Sequence, residues 1–136
     1  MRDAQLVFGQ ISLADKDTQV YSPDSVKFGA IDSRVSGKFP NHKTGKACGY
    51  EVVFSVDADF ATGDSFIPII QDSADGSSWA DLVTGQQTAA APKKATRARL
   101  ALPLEHKQYL RASVMPKSTG SLTACTVTAW VEAGPN

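Results

Sequence analysis

From Tyr50 onward the chain alternates apolar and polar residues with a period of two, and no window of a dozen residues carries an amphipathic helical stripe. That pattern restricts it to β-strands with one buried face. Tyr50 to Val56 sets Tyr50, Val52, Phe54 and Val56 on one face and Glu51, Val53 and Ser55 on the other. Phe66 to Gln71 is nearly continuous apolar, as a strand covered on both faces would be, although Pro68 lacks a ladder donor and assigns it to an edge or a bulge. Arg97 to Leu102 directs Ala98, Leu100 and Leu102 inward and Arg97 and Arg99 outward. Tyr109 to Met115 sets Leu110, Ala112 and Val114 against Tyr109, Arg111 and Ser113; Leu122 to Glu132 sets Cys125, Val127, Ala129 and Val131 against an outward side that carries Trp130. Turn signals separate these runs at Asp57 to Asp64, Asp75-Gly76, Pro103 to Lys107 and Pro116 to Gly120. Shorter candidates at Ser25 to Ile31, Trp79 to Val83 and Gln87 to Ala91 bring the count to about eight strands. The expected fold is all-β: a jelly-roll-like antiparallel β-sandwich over residues 21–136, with an extended N-terminal arm over residues 1–20.

A chain of 136 residues with 42% hydrophobic content supports one such core. Its 14 basic and 14 acidic side chains cancel, so no bulk field draws it to nucleic acid or to an anionic membrane, and neither is an expected partner. No run approaches the ~20 apolar residues of a membrane span. Met1-Arg2-Asp3-Ala4-Gln5 lacks the apolar stretch of a signal peptide, so synthesis in a cytosol is expected. Cys48 and Cys125 are too far apart for a C-x-x-C site and are expected to be free, buried thiols.

The neutral total conceals a division. Residues 1–75 carry a net charge of −4 and residues 76–136 a net charge of +4. Arg34, Lys38, Lys43 and Lys46 form one basic cluster, and Lys93, Lys94, Arg97, Arg99, Lys107, Arg111 and Lys117 form another. Leu6, Val7, Phe8, Ile11 and Leu13 fit no clean period and need an apolar surface, either of their own domain or of a neighbouring copy.

No catalytic constellation emerges, and the expectation is that the chain is not an enzyme. Gly63-Asp64-Ser65-Phe66 resembles a GDS-type nucleophile block, but no apolar parallel strand precedes it, no helix pattern follows, and neither His42 nor His106 stands three residues after an Asp. Asp57, Asp59 and Asp64 are the one candidate calcium loop, whereas Asp72 and Asp75-Gly76 lack the EF-hand spacing and its closing Glu; no metal and no cofactor is expected. Trp79, Trp130, Tyr21 and Tyr109 are candidates for a sugar-stacking platform, with core or subunit contact as the alternative role.

The order of several short motifs gives a family resemblance. Asp3 and Phe8, Ser22-Pro23-Asp24-Ser25-Val26 leading to Gly29, Phe60-Ala61-Thr62-Gly63-Asp64-Ser65, Gln71-Asp72-Ser73, Leu102-Pro103, Tyr109-Leu110-Arg111, and Gly120 followed by Leu122-Thr123-Ala124 together resemble the small jelly-roll cement, or decoration, proteins of tailed bacteriophage capsids. The chain departs from that pattern in the basic loop Ser33 to Lys46 and at Lys93-Lys94. The resemblance implies a structural virion protein, made in the host cytoplasm, that sits on the outer capsid surface, bridges major capsid subunits, and self-associates as a homodimer or homotrimer. Expected capsid or subunit contacts are Leu6, Phe8, Ile11 and Leu13 in the arm and Arg34, Lys38, Lys43, Lys46, Lys93, Lys94, Arg97 and Arg99 in the basic clusters. The alternative is a β-sandwich binding module, tail-associated or glycan-binding.

Overall fold

The computed structural model describes residues 7–13, 17–27, 50–103, 105–118 and 125–133, and these contain nine strands and no helix. The strands are β1 (Val7–Leu13), β2 (Val20–Tyr21), β3 (Val26–Lys27), β4 (Tyr50–Val56), β5 (Ser65–Ser73), β6 (Ala80–Thr84), β7 (Arg97–Ala101), β8 (Tyr109–Lys117) and β9 (Cys125–Ala133). One antiparallel sheet runs β1-β9-β4-β7 and the other β2-β8-β5-β6, with β3 also pairing β8, so that β2 and β3 share one edge position. Only β5 and β6 are joined as a hairpin; every other connection between different positions crosses from one sheet to the other. Two sheets of four positions joined in this way are a jelly roll, as the alternation predicts.

The inward residues of both sheets meet in one core. Val52, Phe54 and Val56 of β4 and Val127, Ala129 and Val131 of β9 lie in the same cluster as Phe66 and Ile70 of β5 and Leu110, Ala112 and Val114 of β8. Phe8, Phe54 and Phe66 are fully buried, and each such ring contributes roughly 1.5–3 kcal/mol of transfer free energy. Phe60 closes the turn after β4 by packing on Phe66, with ring centroids 5.7 Å apart.

The structure revises several expectations. The segment Val7–Leu13 is no arm reaching to a neighbour but an edge strand paired along β9, with Phe8, Ile11 and Leu13 inside the chain's own core. Its alternation is hidden by a bulge: the register shifts between Val7 and Gly9, which brings Phe8 onto the face of Ile11 and Leu13. Gly9 adopts φ +102°, and a Cβ there would stand 2.9 Å from Pro23 Cγ, so glycine is required twice over. Pro68 lies in a central strand, not at a sheet edge. Its carbonyl accepts from Gly85 N at 2.8 Å, so its missing donor falls on the β6 side at the end of the paired stretch Ile69–Asp72, where the absent bond terminates the ladder and does not interrupt it. Gln87 to Ala91 is irregular: Thr88 N and Ala91 N reach back to Phe66 O and Asp64 O, and Ala91 has φ +54°. Of Ser25 to Ile31, the described part contributes only the short β3.

Candidate binding surfaces

The outer face of the first sheet is organised around Trp130. Register places Val53 beside both Trp130 and Arg99, and it places Glu51 directly opposite Glu132. Two facing carboxylates repel. Arg99, one diagonal step away, relieves them: its guanidinium hydrogen-bonds Glu132 Oε1 and lies 3.6 Å from Glu51 Oε2. The Trp130 indole N–H donates to Glu132 Oε2 at 2.8 Å, and Arg97 Cζ sits 5.3 Å from the Trp130 ring. The indole N–H first and Arg99 second hold Glu132 below the usual carboxylate range, while the bond to Glu132 raises Arg99 further. Trp130 and Val53, on a face expected to be solvated, are buried, at 5% and 0% exposure. Beyond them Gln10 Nε2 and Thr128 Oγ1 donate to the Asp57 carboxylate, so this end of the face is polar and self-satisfied.

The turn into β7 adds cations. Lys93 and Lys94 are exposed; the Lys94 backbone N–H is fixed by Asp59 Oδ1 at 2.7 Å, and Ala95 adopts φ +71°. Along β7 a cleft of about 510 Å³ opens between Thr96 to Leu100, Arg97 and Arg99 included, and the segment Gly85 to Ala89, with Phe66 and Pro68 also lining it. The β7 edge thus presents Lys93, Lys94, Arg97 and Arg99 together.

The outer face of the second sheet carries a different arrangement. Arg111 projects from β8, with its Cζ 3.8 Å from the centroid of the Tyr21 ring and 4.4 Å from that of Trp79. The rings arrive from the two sides, Tyr21 on β2 beside β8 and Trp79 from the turn that leads into β6. Arg111 Nε donates to Gln71 Oε1 at 2.7 Å; Gln71 Nε2 donates to Asp81 Oδ1 at 2.9 Å; Gln19 Nε2 donates to Asp81 Oδ1 and to Ser113 Oγ. Gln71 is 8% exposed, so this network is anchored in the sheet. Burial pushes Arg111 down from its ordinary value. The loop between β5 and β6 is pinned by Asp75, whose carboxylate accepts from Ser77 N, Ser78 N and Ser73 Oγ and is held well below the usual range, chiefly by those two backbone donors.

Of the expected contact residues, Lys93, Lys94, Arg97 and Arg99 share one exposed edge. Phe8, Ile11 and Leu13 do not serve as contacts, because they fill the core. Leu6, Arg34, Lys38, Lys43 and Lys46 lie outside the described residues, as does Cys48. Asp57, Asp59 and Asp64 are turned to separate donors, Asp64 accepting from Ser118 Oγ, and the described residues contain no group of three or more acidic, His or Cys side chains placed to hold a metal. Ser65 accepts from Gln87 Nε2 at 2.8 Å and is buried at the start of β5. Cys125 is free and half-buried, its thiol pushed up by burial. Of the four rings expected as a stacking platform, Tyr21 and Trp79 meet at Arg111, whereas Trp130 is buried on the other sheet; alternation marks Arg111 as outward, but nothing local joins it to either ring. No protein-family model matches the chain, and no curated protein matches it either.

Proposed function

We propose that this chain is a capsid decoration protein of a tailed bacteriophage, docking on the outer capsid surface through the cationic β7 edge of the first sheet. The observation that carries the reading is the assembly of Lys93, Lys94, Arg97 and Arg99 on one side of a sandwich whose jelly-roll connectivity agrees with the family resemblance. Arginine on an exposed sheet edge is among the side chains that concentrate binding energy in protein interfaces. Segregated charge on a neutral chain selects a patterned acidic surface without a general attraction to polyanions.

Size argues for repetition. Four strands at ~4.8 Å spacing and up to ~30 Å long offer about 500 Å², short of the ~800 Å² per partner of a standard stable interface. Self-association into a dimer or trimer would multiply such a face, since linked sites gain from effective concentration. Bridging of major capsid subunits follows from that geometry when each copy sits over a different subunit.

The test mixes purified protein with undecorated capsids at rising salt and compares wild type with a Lys93→Glu, Lys94→Glu, Arg97→Glu variant. Binding is expected to fall steeply by ~0.5 M salt, where the screening length is near 4 Å, and the charge-reversed variant is expected to fail at low salt. Binding that is unaffected by both overturns the reading. In purified particles, hundreds of copies support shell decoration, and a handful oppose it.

A further inference from the structure

Arg111 is a positive charge held in place and left without a counter-charge. Among the described residues its only hydrogen bond is the one from Nε to Gln71; the nearby acid, Asp81, is taken by the amides of Gln71 and Gln19. No described carboxylate forms an ion pair with it, whereas Arg99 on the other sheet has two. Both rings and Gln71 fix the guanidinium plane, so the four Nη hydrogens form a preorganised fork of the kind that binds a carboxylate through two parallel bonds. The fork lines a cleft of about 210 Å³ shared with Tyr21, Pro23, Asp24, Ser25 and Trp79.

We infer that this cleft binds an acidic sugar, a pyranose unit bearing one carboxylate, with Arg111 taking the carboxylate and the open ring of Tyr21 stacking on the sugar. Tyr21 is 55% exposed, the one large hydrophobic side chain so open among the described residues, and an aromatic plane suits the C–H face of a pyranose. Asp24 at the rim accepts hydroxyl hydrogens and would repel a second carboxylate. That combination favours a ligand with a single negative charge and many hydroxyls over a polyacidic peptide. The volume accommodates one ring and its substituents, not a folded partner. The site lies on the outer face of the sheet opposite the one carrying Trp130, so it remains open if that other face is docked, and it does not depend on the capsid reading.

The test measures binding to the isolated full chain by calorimetry and by ligand-observed NMR. The probes are methyl glucuronoside and sialyllactose, their neutral counterparts methyl glucoside and lactose, and an N-acetylated Glu-Glu peptide. At least one acidic sugar is expected to bind with a Kd on the order of 1 mM, and its neutral counterpart about tenfold or more weaker. Which of the two acidic sugars binds distinguishes a uronate from a sialate source. Arg111→Gln is expected to lose roughly tenfold or more, Arg111→Lys nearly as much because the fork is gone, and Tyr21→Ala, at an exposed ring, about fivefold with unchanged melting. If the Arg111 variants misfold, the acidic-against-neutral comparison in wild type and the Tyr21→Ala variant decide the matter. Absence of binding by both acidic sugars at about 20 mM, equal binding of neutral sugars, tighter binding of the peptide, or an unaffected Tyr21→Ala protein overturns the inference.

Discussion

The two outer faces of the sandwich are built from the same ingredients and end in opposite states. Each has an outward arginine over a tryptophan, Arg97 on Trp130 and Arg111 on Trp79. On the first sheet the neighbouring Arg99 closes on Glu132 and Glu51, Trp130 is buried, and the face is electrostatically complete. On the second sheet the partner of the arginine is a neutral amide, Gln71, and the charge stays open. What separates the two is cross-strand register. Glu51 and Glu132 face each other and demand a cation between them, whereas Arg111 is opposite Gln71, with Asp81 one strand further on and opposite Gln71 as well. A satisfied face binds through its cationic rim; an unsatisfied one selects a ligand that completes it.

The largest effect is expected where the two faces share support. Phe54 of β4 is fully buried in the core between the sheets, and Phe54→Ala is expected to cost about 3–5 kcal/mol. Each face has its own tryptophan, so single-tryptophan variants follow the two sheets separately during urea unfolding. Coincident transitions, shifted together by Phe54→Ala, are expected of one cooperative core. Transitions that part would show that the two faces are independent units and break the comparison at its base.

How far this was readable beforehand depends on whether a feature is local. The facing of β4, β8 and β9 follows from their own alternation, and so does the outward direction of Arg97, Arg99 and Arg111. The strand Val7–Leu13 was obscured because Gly9 inserts a residue and shifts the phase, which leaves Phe8 and Ile11 three apart yet on one face. Pro68 misdirected for a related reason: whether a missing N–H matters depends on which neighbour it faces and where that neighbour stops pairing. The meeting of Tyr21, Trp79 and Arg111 is a product of topology. It requires β2 beside β8 and the β5–β6 loop beyond it, and no spacing in the chain announces that.

An intermediate effect is expected at Gln71, which sharpens the contrast from the open side. Gln71→Leu keeps the volume but removes the acceptor of Arg111 Nε and a donor to Asp81, and breaking this buried network is expected to cost about 1–3 kcal/mol. The same variant frees the guanidinium to rotate. Melting should fall by several degrees, and acidic-sugar binding should weaken although Gln71 does not line the cleft. Lost stability with unchanged sugar binding would mean that the two rings alone orient Arg111.

The smallest effect is expected on the closed face, and its signature is pH. Glu132→Gln removes the negative charge that neutralises Arg99 but keeps an oxygen for the Trp130 indole, and partly exposed ion pairs are worth at most about 1 kcal/mol. Because Glu132 is held below its ordinary value, its charged form stabilises the fold above the unfolded carboxylate pKa of ~4.3, and that contribution is lost as the pH falls through the lowered folded value. The glutamine variant has no such proton to take up. The gap in urea midpoint between wild type and variant is therefore expected to be widest at neutral pH and to narrow below about pH 4. A gap constant down to pH 3 would mean that neither the indole N–H nor Arg99 holds the Glu132 charge in the fold, and that the variant differs from wild type by packing alone. The first face would then be closed by packing around Trp130, and its difference from the Arg111 face would no longer be one of charge.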